Sequence, residues 1–305
     1  MIPPYASGAA SAGSSPRAAT DLLADVTVIV VTYNSAHCLP ALDPLLCASP
    51  HVVVSDNGSD DDTAEAARRR WPHATVLSHG RNLGFGAANN RALAAATTPF
   101  ALLINPDCEF APAALAELVR FAEAMPDAAM FAPQLVSASG RPEINYRWPR
   151  TLWRSRGPAA EGPLCVGFIT GAAMLLRRER CGADGFFDEE FFLYYEDDDL
   201  CLRLFHARRP MVIVPHVVAM HRNRGSVRGA KPWRGEYWRG YHHAQSKLTY
   251  ASKHRSPAAA RRLYWATLAT TALGLPLRTL FFNRRLLSRM VGRWFGLLRW
   301  SGHDR

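Results

Sequence analysis

Five short apolar runs lie between residues 26 and 131, and each is separated from the next by a stretch of helical composition. Residues 26–31, 51–54, 74–77, 100–104 and 128–131 read as strands, rich in Val, Ile, Leu and Phe and bounded by polar or glycine-containing segments. Helices are expected from after Asn34 to about Cys47, from the capping Asp60, Asp61 and Asp62 to about Trp71, from after Gly84 to about Ala96, and over residues 113–125. Strands joined through helices of this length require right-handed crossovers, so the fold class is α/β, with a mainly parallel sheet flanked by helices. The run at 100–104 is apolar without interruption and stops at Asn105, Pro106 and Asp107. Proline cannot continue a ladder, so the Asp107 carboxylate is presented at the carboxyl end of a buried strand, where open α/β sheets bind ligands.

The other strands end in the same manner. Tyr33 closes the first, Asp56 the second, and Arg81 with Asn82 follow the third. Ordinary loop chemistry accounts for any one of these. Four in succession point to a nucleotide crevice, in which Asp56 can accept from a base imide and Tyr33 can pack on the base. A single carboxylate such as Asp107 suits a hard divalent cation that itself holds a diphosphate. Gly80, Gly84 and Gly86 have the wrong spacing for a dinucleotide fingerprint and follow the third strand rather than the first, which excludes a nicotinamide enzyme.

Residues 141–153 mix aromatics, prolines and arginines and read as a loop or hairpin over the sheet; Gly167, Thr170 and Gly171 read as a small-residue turn leading into a strand, where another molecule can approach the backbone. Further on, aromatics run into Glu196, Asp197, Asp198 and Asp199 before Leu200, Leu202 and Leu204. Acidic residues favour a helix N-terminus, which is the simplest account of the cluster. The apolar residues ahead of it imply that at least one carboxylate is partly buried, and crowded carboxylates raise one another's pKa, which suits a general base. Asp199 and Arg203 are spaced for a helix-face ion pair. The apolar run 211–214 is expected to end in a turn at Pro215, and a lone histidine after it, His221, is more often structural than a ligand.

Charge divides the chain in two. From Arg203 onward there are 21 Lys plus Arg against 2 acidic residues, so of the formal +10 about −9 falls before that point and +19 after it. Residues 263–282 carry one charge, Arg278, and Arg284, Arg285, Arg289, Arg293 and Arg299 then interleave with Leu, Met, Trp and Phe. That pattern favours helices lying in the interface of an anionic membrane over a spanning helix, the alternative being a basic face packed on the rest of the protein. No nucleic-acid-binding motif accompanies the charge. The six cysteines are irregularly spaced and read as reduced side chains of a cytoplasmic protein. Residues 1–22 lack periodicity and any targeting pattern and are expected to form a disordered arm.

Thr32-Tyr33-Asn34, Asp56-Asn57-Gly58-Ser59, the run from Arg81 to Gly86 with Asn89, Asn105-Pro106-Asp107, and the run from Phe192 to Asp197 with Asp199-Leu200 and Arg203 together resemble the family 2 glycosyltransferases of GT-A fold. Within that family they are most similar to bacterial rhamnosyltransferase-type members. The resemblance covers residues 26–226 and implies a nucleotide-sugar set of Thr32, Tyr33, Asp56, Arg81, Asn82, Asn105 and Asp107. It implies Asp107 and His221, the latter followed by Gly225 and Ser226, as ligands for Mg or Mn, with Asn105 standing where the metal motif usually begins with aspartate. Glu196 falls at the acceptor site and Asp197 in the place of the catalytic base. Asp198 departs from the pattern, where a neutral residue is usual.

The resemblance thus implies an inverting, metal-dependent transferase that moves a sugar, such as L-rhamnose, from a dTDP- or UDP-linked donor to a glycan or polyprenyl-linked acceptor. The enzyme would be peripheral on the inner face of the cell membrane, with a transferase domain over 23–230 and a basic amphipathic extension over 231–305. The alternative is a nucleotide-sugar-binding scaffold on the same fold, with the acidic cluster used structurally.

Overall fold

The computed structural model describes residues 17–144, 146–147, 159–181, 185–222, 232–280 and 283–302. In chain order these form α1 (Ala19–Ala24), β1 (Val26–Thr32), a 3-10 turn (Ala36–Cys38), α2 (Leu39–Ala48), β2 (His51–Asp56), α3 (Thr63–Arg70), β3 (Thr75–Ser78) and α4 (Phe85–Ala95). There follow β4 (Phe100–Ile104), β5 (Cys108–Glu109), α5 (Pro112–Glu123), β6 (Met130–Val136), β7 (Leu164–Val166), β8 (Ala173–Arg177) and α6 (Arg178–Cys181). The chain continues with α7 (Glu196–His206), β9 (Met211–His221), α8 (Pro232–His254), α9 (Pro257–Leu280) and α10 (Arg284–Leu298).

The apolar runs can be continuous because both faces of the sheet are covered. In β4, Phe100, Leu102 and Ile104 enter one core and Ala101 and Leu103 the other; β1 divides Val26, Val28 and Val30 from Ile29 in the same way. Leucines of α2 and α5 and Ala67 of α3 fill the first core, whereas Ala92 and Leu93 of α4 and Leu200, Cys201 and Leu204 of α7 fill the second.

The strand order is β3-β2-β1-β4-β8-β6-β9, with β7 and β5 paired to β9. The sheet is mixed. β3, β2, β1 and β4 are mutually parallel, and β8 runs against both β4 and β6. Thr32 lies opposite Asp56 and Val30 opposite Ile104, which brings the polar ends of β1, β2 and β4 side by side at one edge.

Two boundaries differ from the sequence expectation. The arm expected over 1–22 gives way to structure earlier, because α1 starts at Ala19 and buries Leu22 and Leu23 in the first core, with Arg17 ion-paired to Asp25 at 2.7 Å. Residues 1–16 lie outside the described residues, as do 148–153 of the expected loop, and Gly225 and Ser226. The turn expected at Pro215 is instead a bulge inside β9. The pairing jumps from Pro133↔Val214 to Gln134↔Val218, so proline's missing N–H falls where the ladder is interrupted.

The three C-terminal helices share a small core of Ala244, Leu248, Ala251, Ala260, Tyr264, Leu297 and Trp300. α8 and α10 touch through their backbones. A Cβ on Gly240 would collide with the Arg289 carbonyl, and one on Gly292 or Gly296 with the carbonyl of Tyr237 or Tyr241. Small residues at such crossings permit that approach. Among the described residues, no helix is long and apolar enough to cross a membrane.

Candidate active site

The carboxyl edge of the parallel strands is built by hydrogen bonds between successive strand ends. Asp56 is buried, and its Oδ1 accepts from Thr32 Oγ1 at 3.0 Å and Ser59 Oγ at 2.5 Å, while its Oδ2 accepts from Ser59 N at 3.1 Å. Asn34, in the left-handed region at φ 53°, donates its N–H to Ser59 Oγ at 2.9 Å and accepts from Asp60 N at 2.8 Å. Tyr33 is half-buried beside this network and Arg81 is exposed at its rim. Asn82 is engaged within the wall, its Oδ1 accepting from Asn57 Nδ2 at 3.0 Å and Gly84 N at 2.9 Å. Gly84, at φ 92°, packs against the Phe192 carbonyl, where any side chain would collide; that carbonyl accepts from Phe85 N at 2.9 Å.

At the end of β4 the chain turns through Asn105 to Asp107, and β5 pairs Cys108 with His221 of β9. This register brings His221 Nε2 to 3.6 Å from Asp107 Oδ1, while His221 Nδ1 faces Glu143 Oε2, also at 3.6 Å. Burial disfavours the charged imidazole, but Asp107 and Glu143 outweigh it and raise the His221 pKa. A carboxylate oxygen and an imidazole nitrogen at this spacing, with a second carboxylate behind the ring, form a donor set able to hold a divalent cation. Cys108 stands close by, yet burial and then Asp107 push its thiol well up, and Sγ donates to Ala172 O at 3.3 Å, so it fits the wall rather than the donor set.

The acidic run opens α7, and its four carboxylates have different surroundings. Tyr194 and Tyr195 enter it with φ 70° each, a strained conformation for two successive non-glycine residues. Glu196 is buried beside Gly86, and its Oε2 has no hydrogen-bond partner among the described residues; burial, then Asp197, drive its pKa well up. Asp197 is also raised by burial, but it accepts from Gly171 N at 3.2 Å and Asp198 N at 2.9 Å, which favour its charged form. Asp198 pairs with Arg147, whose guanidinium lies 3.8 Å from the Phe168 ring centre; burial and Asp197 still lift Asp198 to about 7.

Asp199 is fully buried and bonds to Arg203 Nε at 2.9 Å, as its spacing predicts, and also to Lys253 Nζ and His254 Nε2 of α8, each at 2.7 Å. Burial alone would raise its pKa; His254, Lys253 and Arg203 outweigh it and hold the group at about 2.

One short segment joins the two halves of the site. Gly171 N donates to Asp197, and the next residue, Ala172, accepts from Asn105 N at 2.9 Å through its carbonyl. The sequence marked Gly171 as a place where another molecule can approach; in the structure the space beside it is taken by the protein's own Phe85 ring, 3.2 Å from where a Cβ would stand. Glu143, Arg147, Lys253 and His254 were not singled out, because each reaches the site by a tertiary contact without a local motif.

The arrangement combines a polar edge at the ends of the parallel strands, a carboxylate–imidazole donor pair, and a buried carboxylate suited to proton transfer. The family model for Glycosyl transferase family 2 matches residues 27–181. The N-acetylglucosaminyl-diphospho-decaprenol L-rhamnosyltransferase of Mycobacterium tuberculosis is 32% identical over 239 residues, covering 66% of this chain and 76% of its own. A low-salt glycan biosynthesis hexosyltransferase of Haloferax volcanii is 26% identical over 196 residues, covering 60% of this chain and 62% of its own. Among solved structures, the mannosyltransferase PcManGT from Pyrobaculum calidifontis, in complex with GDP-Man and Mn2+, superposes with a TM-score of 0.53 at 19% identity. That likeness covers 90% of this chain and 86% of the other and bears on the fold. The chain therefore belongs to the family 2 glycosyltransferases, with a GT-A fold and a rhamnosyltransferase-like relative, and is a glycosyltransferase.

Proposed function

We propose that the enzyme inverts configuration at the sugar it transfers, depends on a divalent cation, and moves L-rhamnose or a related hexose from a nucleoside diphosphate to a lipid-linked glycan acceptor. The observation that carries this reading is the segment Gly171–Ala172, which fixes the Asp197 carboxylate relative to the turn bearing Asp107. A base held in fixed relation to a diphosphate site is what in-line displacement needs.

In this reading Thr32, Tyr33 and Asp56 take the base and ribose, with Arg81, Asn82 and Asn105 along the diphosphate and sugar. Asp107 and His221 would hold a Mg or Mn ion, whose chemistry there is to offset the charge of the departing diphosphate. Asp197 accepts the proton of the acceptor hydroxyl, and that oxygen forms a bond to the anomeric carbon from the face opposite the diphosphate. The bond to the diphosphate breaks and its oxygen keeps the electron pair. Glu196, whose pKa burial and then Asp197 raise, stands beside Asp197 and in its protonated form donates a hydrogen bond to the acceptor.

The C-terminal helices supply the membrane side. Trp233 and Trp238 of α8, Trp265 and Leu273 of α9, and Leu286, Phe295 and Leu298 of α10 are exposed in a stretch, 232–302, that holds thirteen Lys and Arg against one acidic residue. Aromatic, leucine and cationic side chains together suit peripheral attachment to the anionic inner face of a cell membrane.

The test is a transfer assay with the full chain, dTDP-L-rhamnose or UDP-sugars, and a polyprenyl-diphosphate-linked sugar, with Mg, Mn or EDTA. Transfer that requires the cation and yields the inverted anomer is expected. Retention of configuration, or undiminished turnover in EDTA, would overturn the reading.

A further inference from the structure

α8 and α10 bring together a group of cations that the fold does not neutralise. Arg239, His243 and Lys247 follow one another at four-residue spacing on α8, as Arg289 and Arg293 do on α10. The backbone contacts at Gly240 and Gly292 press these faces together. Glu236 serves Arg239 at 2.9 Å and Arg289 at 3.8 Å, and it is the sole acidic residue over 232–302. Lys247 and Arg293 are half-buried, and neither has a hydrogen bond or ion pair among the described residues.

The cost of this crowding falls on several groups at once. Burial and then Arg293 and Arg255 lower the Lys247 pKa; burial and then Arg289 and Arg278 lower that of Arg293. His243 between them is held at about 4 by burial and by Arg293, Arg289 and Lys247. Charges half-removed from water without a counter-charge destabilise a fold, and an arriving anion would relieve all of them together.

Position relates the cluster to the reaction. The His243 ring contacts those of Tyr194 and Tyr195 at 5.6 and 5.7 Å, the two strained residues that lead into Glu196 and Asp197. Tyr194 is near enough to feel Arg239 and Arg289 and, with opposite sign, Glu236 and Glu196. Trp238, Leu286, Phe295 and Leu298 leave apolar surface on the same two helices. An anion seated here lies beside Tyr194 and Tyr195, which lead into the acidic turn of α7, on helices that also expose apolar surface.

We propose that Lys247, Arg289 and Arg293, with Arg239 beside them, bind the diphosphate of a lipid-linked acceptor and thereby hold its sugar at Asp197. The assignment rests on the reading of the acceptor as a lipid-linked glycan. A diphosphate fits better than one phosphate because it spreads its charge over several cations, and guanidinium groups bind such oxygens in pairs.

The test uses the full chain and its Lys247→Gln/Arg293→Gln variant, with farnesyl diphosphate in detergent as the probe and farnesol as the control. The parent should bind farnesyl diphosphate and not farnesol, and the variant should bind it at least about tenfold more weakly. Without ligand the variant should melt at or above the parent temperature, because like charges have been removed. Nucleotide-sugar binding should stay unchanged, and attachment to phosphatidylglycerol-containing vesicles should weaken far less than farnesyl diphosphate binding. Equal farnesyl diphosphate affinity in both proteins would overturn the site, and so would a lower melting temperature in the variant. Vesicle binding that falls in step with farnesyl diphosphate binding would also overturn it, by making a phospholipid headgroup the ligand. Transfer to a lipid-free acceptor alone, with farnesyl diphosphate still bound through the two cations, would overturn the acceptor reading and support the anion site.

Discussion

His254 Nε2 lies 2.7 Å from Asp199 Oδ1, and Asp199 has no exposure to solvent. The contact ties α8 to the helix whose first turn carries Glu196 and Asp197. Further contacts repeat the grip: Ser246 Oγ donates to Leu193 O at 2.9 Å, and the rings of His242 and Phe192 stack at 4.2 Å. The strained segment at Tyr194 and Tyr195 is thus held from the C-terminal side, so the basic helices support the site.

Breaking that tie should show in acid. Asp199 titrates at about 2 against an ordinary 3.8, so the unfolded chain takes up its proton first as pH falls. Its contribution, about 2 kcal/mol, is full above pH ~4 and is lost as the pH falls through about 2. Glu196, Asp197 and Asp198 are raised and act in the opposite sense, so the informative comparison is with Asp199→Asn. Urea melts from pH 2 to 6 should show the parent losing its advantage over the variant across that window; a constant difference would refute the role.

Asp197→Asn keeps the shape of the carboxylate but cannot take a proton. Transfer should fall by at least about a hundredfold, while melting temperature and nucleotide-sugar affinity remain close to parental values. A rate near that of the parent would shift the base to Glu196, the neighbouring carboxylate.

Asp107→Ala should fold and yet lose the cation-dependent part of donor affinity, because a carboxylate is the stronger ligand of the Asp107–His221 pair. His221→Ala should weaken the same dependence less. Calorimetry of donor binding with and without Mn checks both. An Asp107→Ala protein that gains as much affinity from Mn as the parent would refute the assignment.

Trp265 is 63% exposed and Leu273 72% exposed on α9, so neither side chain contributes much to packing. The double change Trp265→Asp/Leu273→Asp should leave the melting temperature within about a degree and weaken binding to anionic vesicles at least about tenfold. Sedimentation with phosphatidylglycerol vesicles measures it, and undiminished co-sedimentation would remove α9 from the membrane face.

The sequence alone determined the strands of the parallel half and the residues at their ends. Uninterrupted apolar runs such as 100–104 require a sheet covered on both faces, and Thr32, Asp56 and Asp107 follow directly from where those runs stop. The Asp199–Arg203 pair was equally legible, because it depends on helical spacing alone. Tertiary structure decided the partners. Gly171 reaches Asp197 across 26 residues, Arg147 reaches Asp198 across 51, and His254 reaches Asp199 across 55. It also placed β8 antiparallel between β4 and β6, set Glu143 behind His221, and brought Lys247 and Arg293 to facing helices. Periodicity records which face of an element is buried, whereas the residue it meets depends on how the elements pack, and no local pattern encodes that.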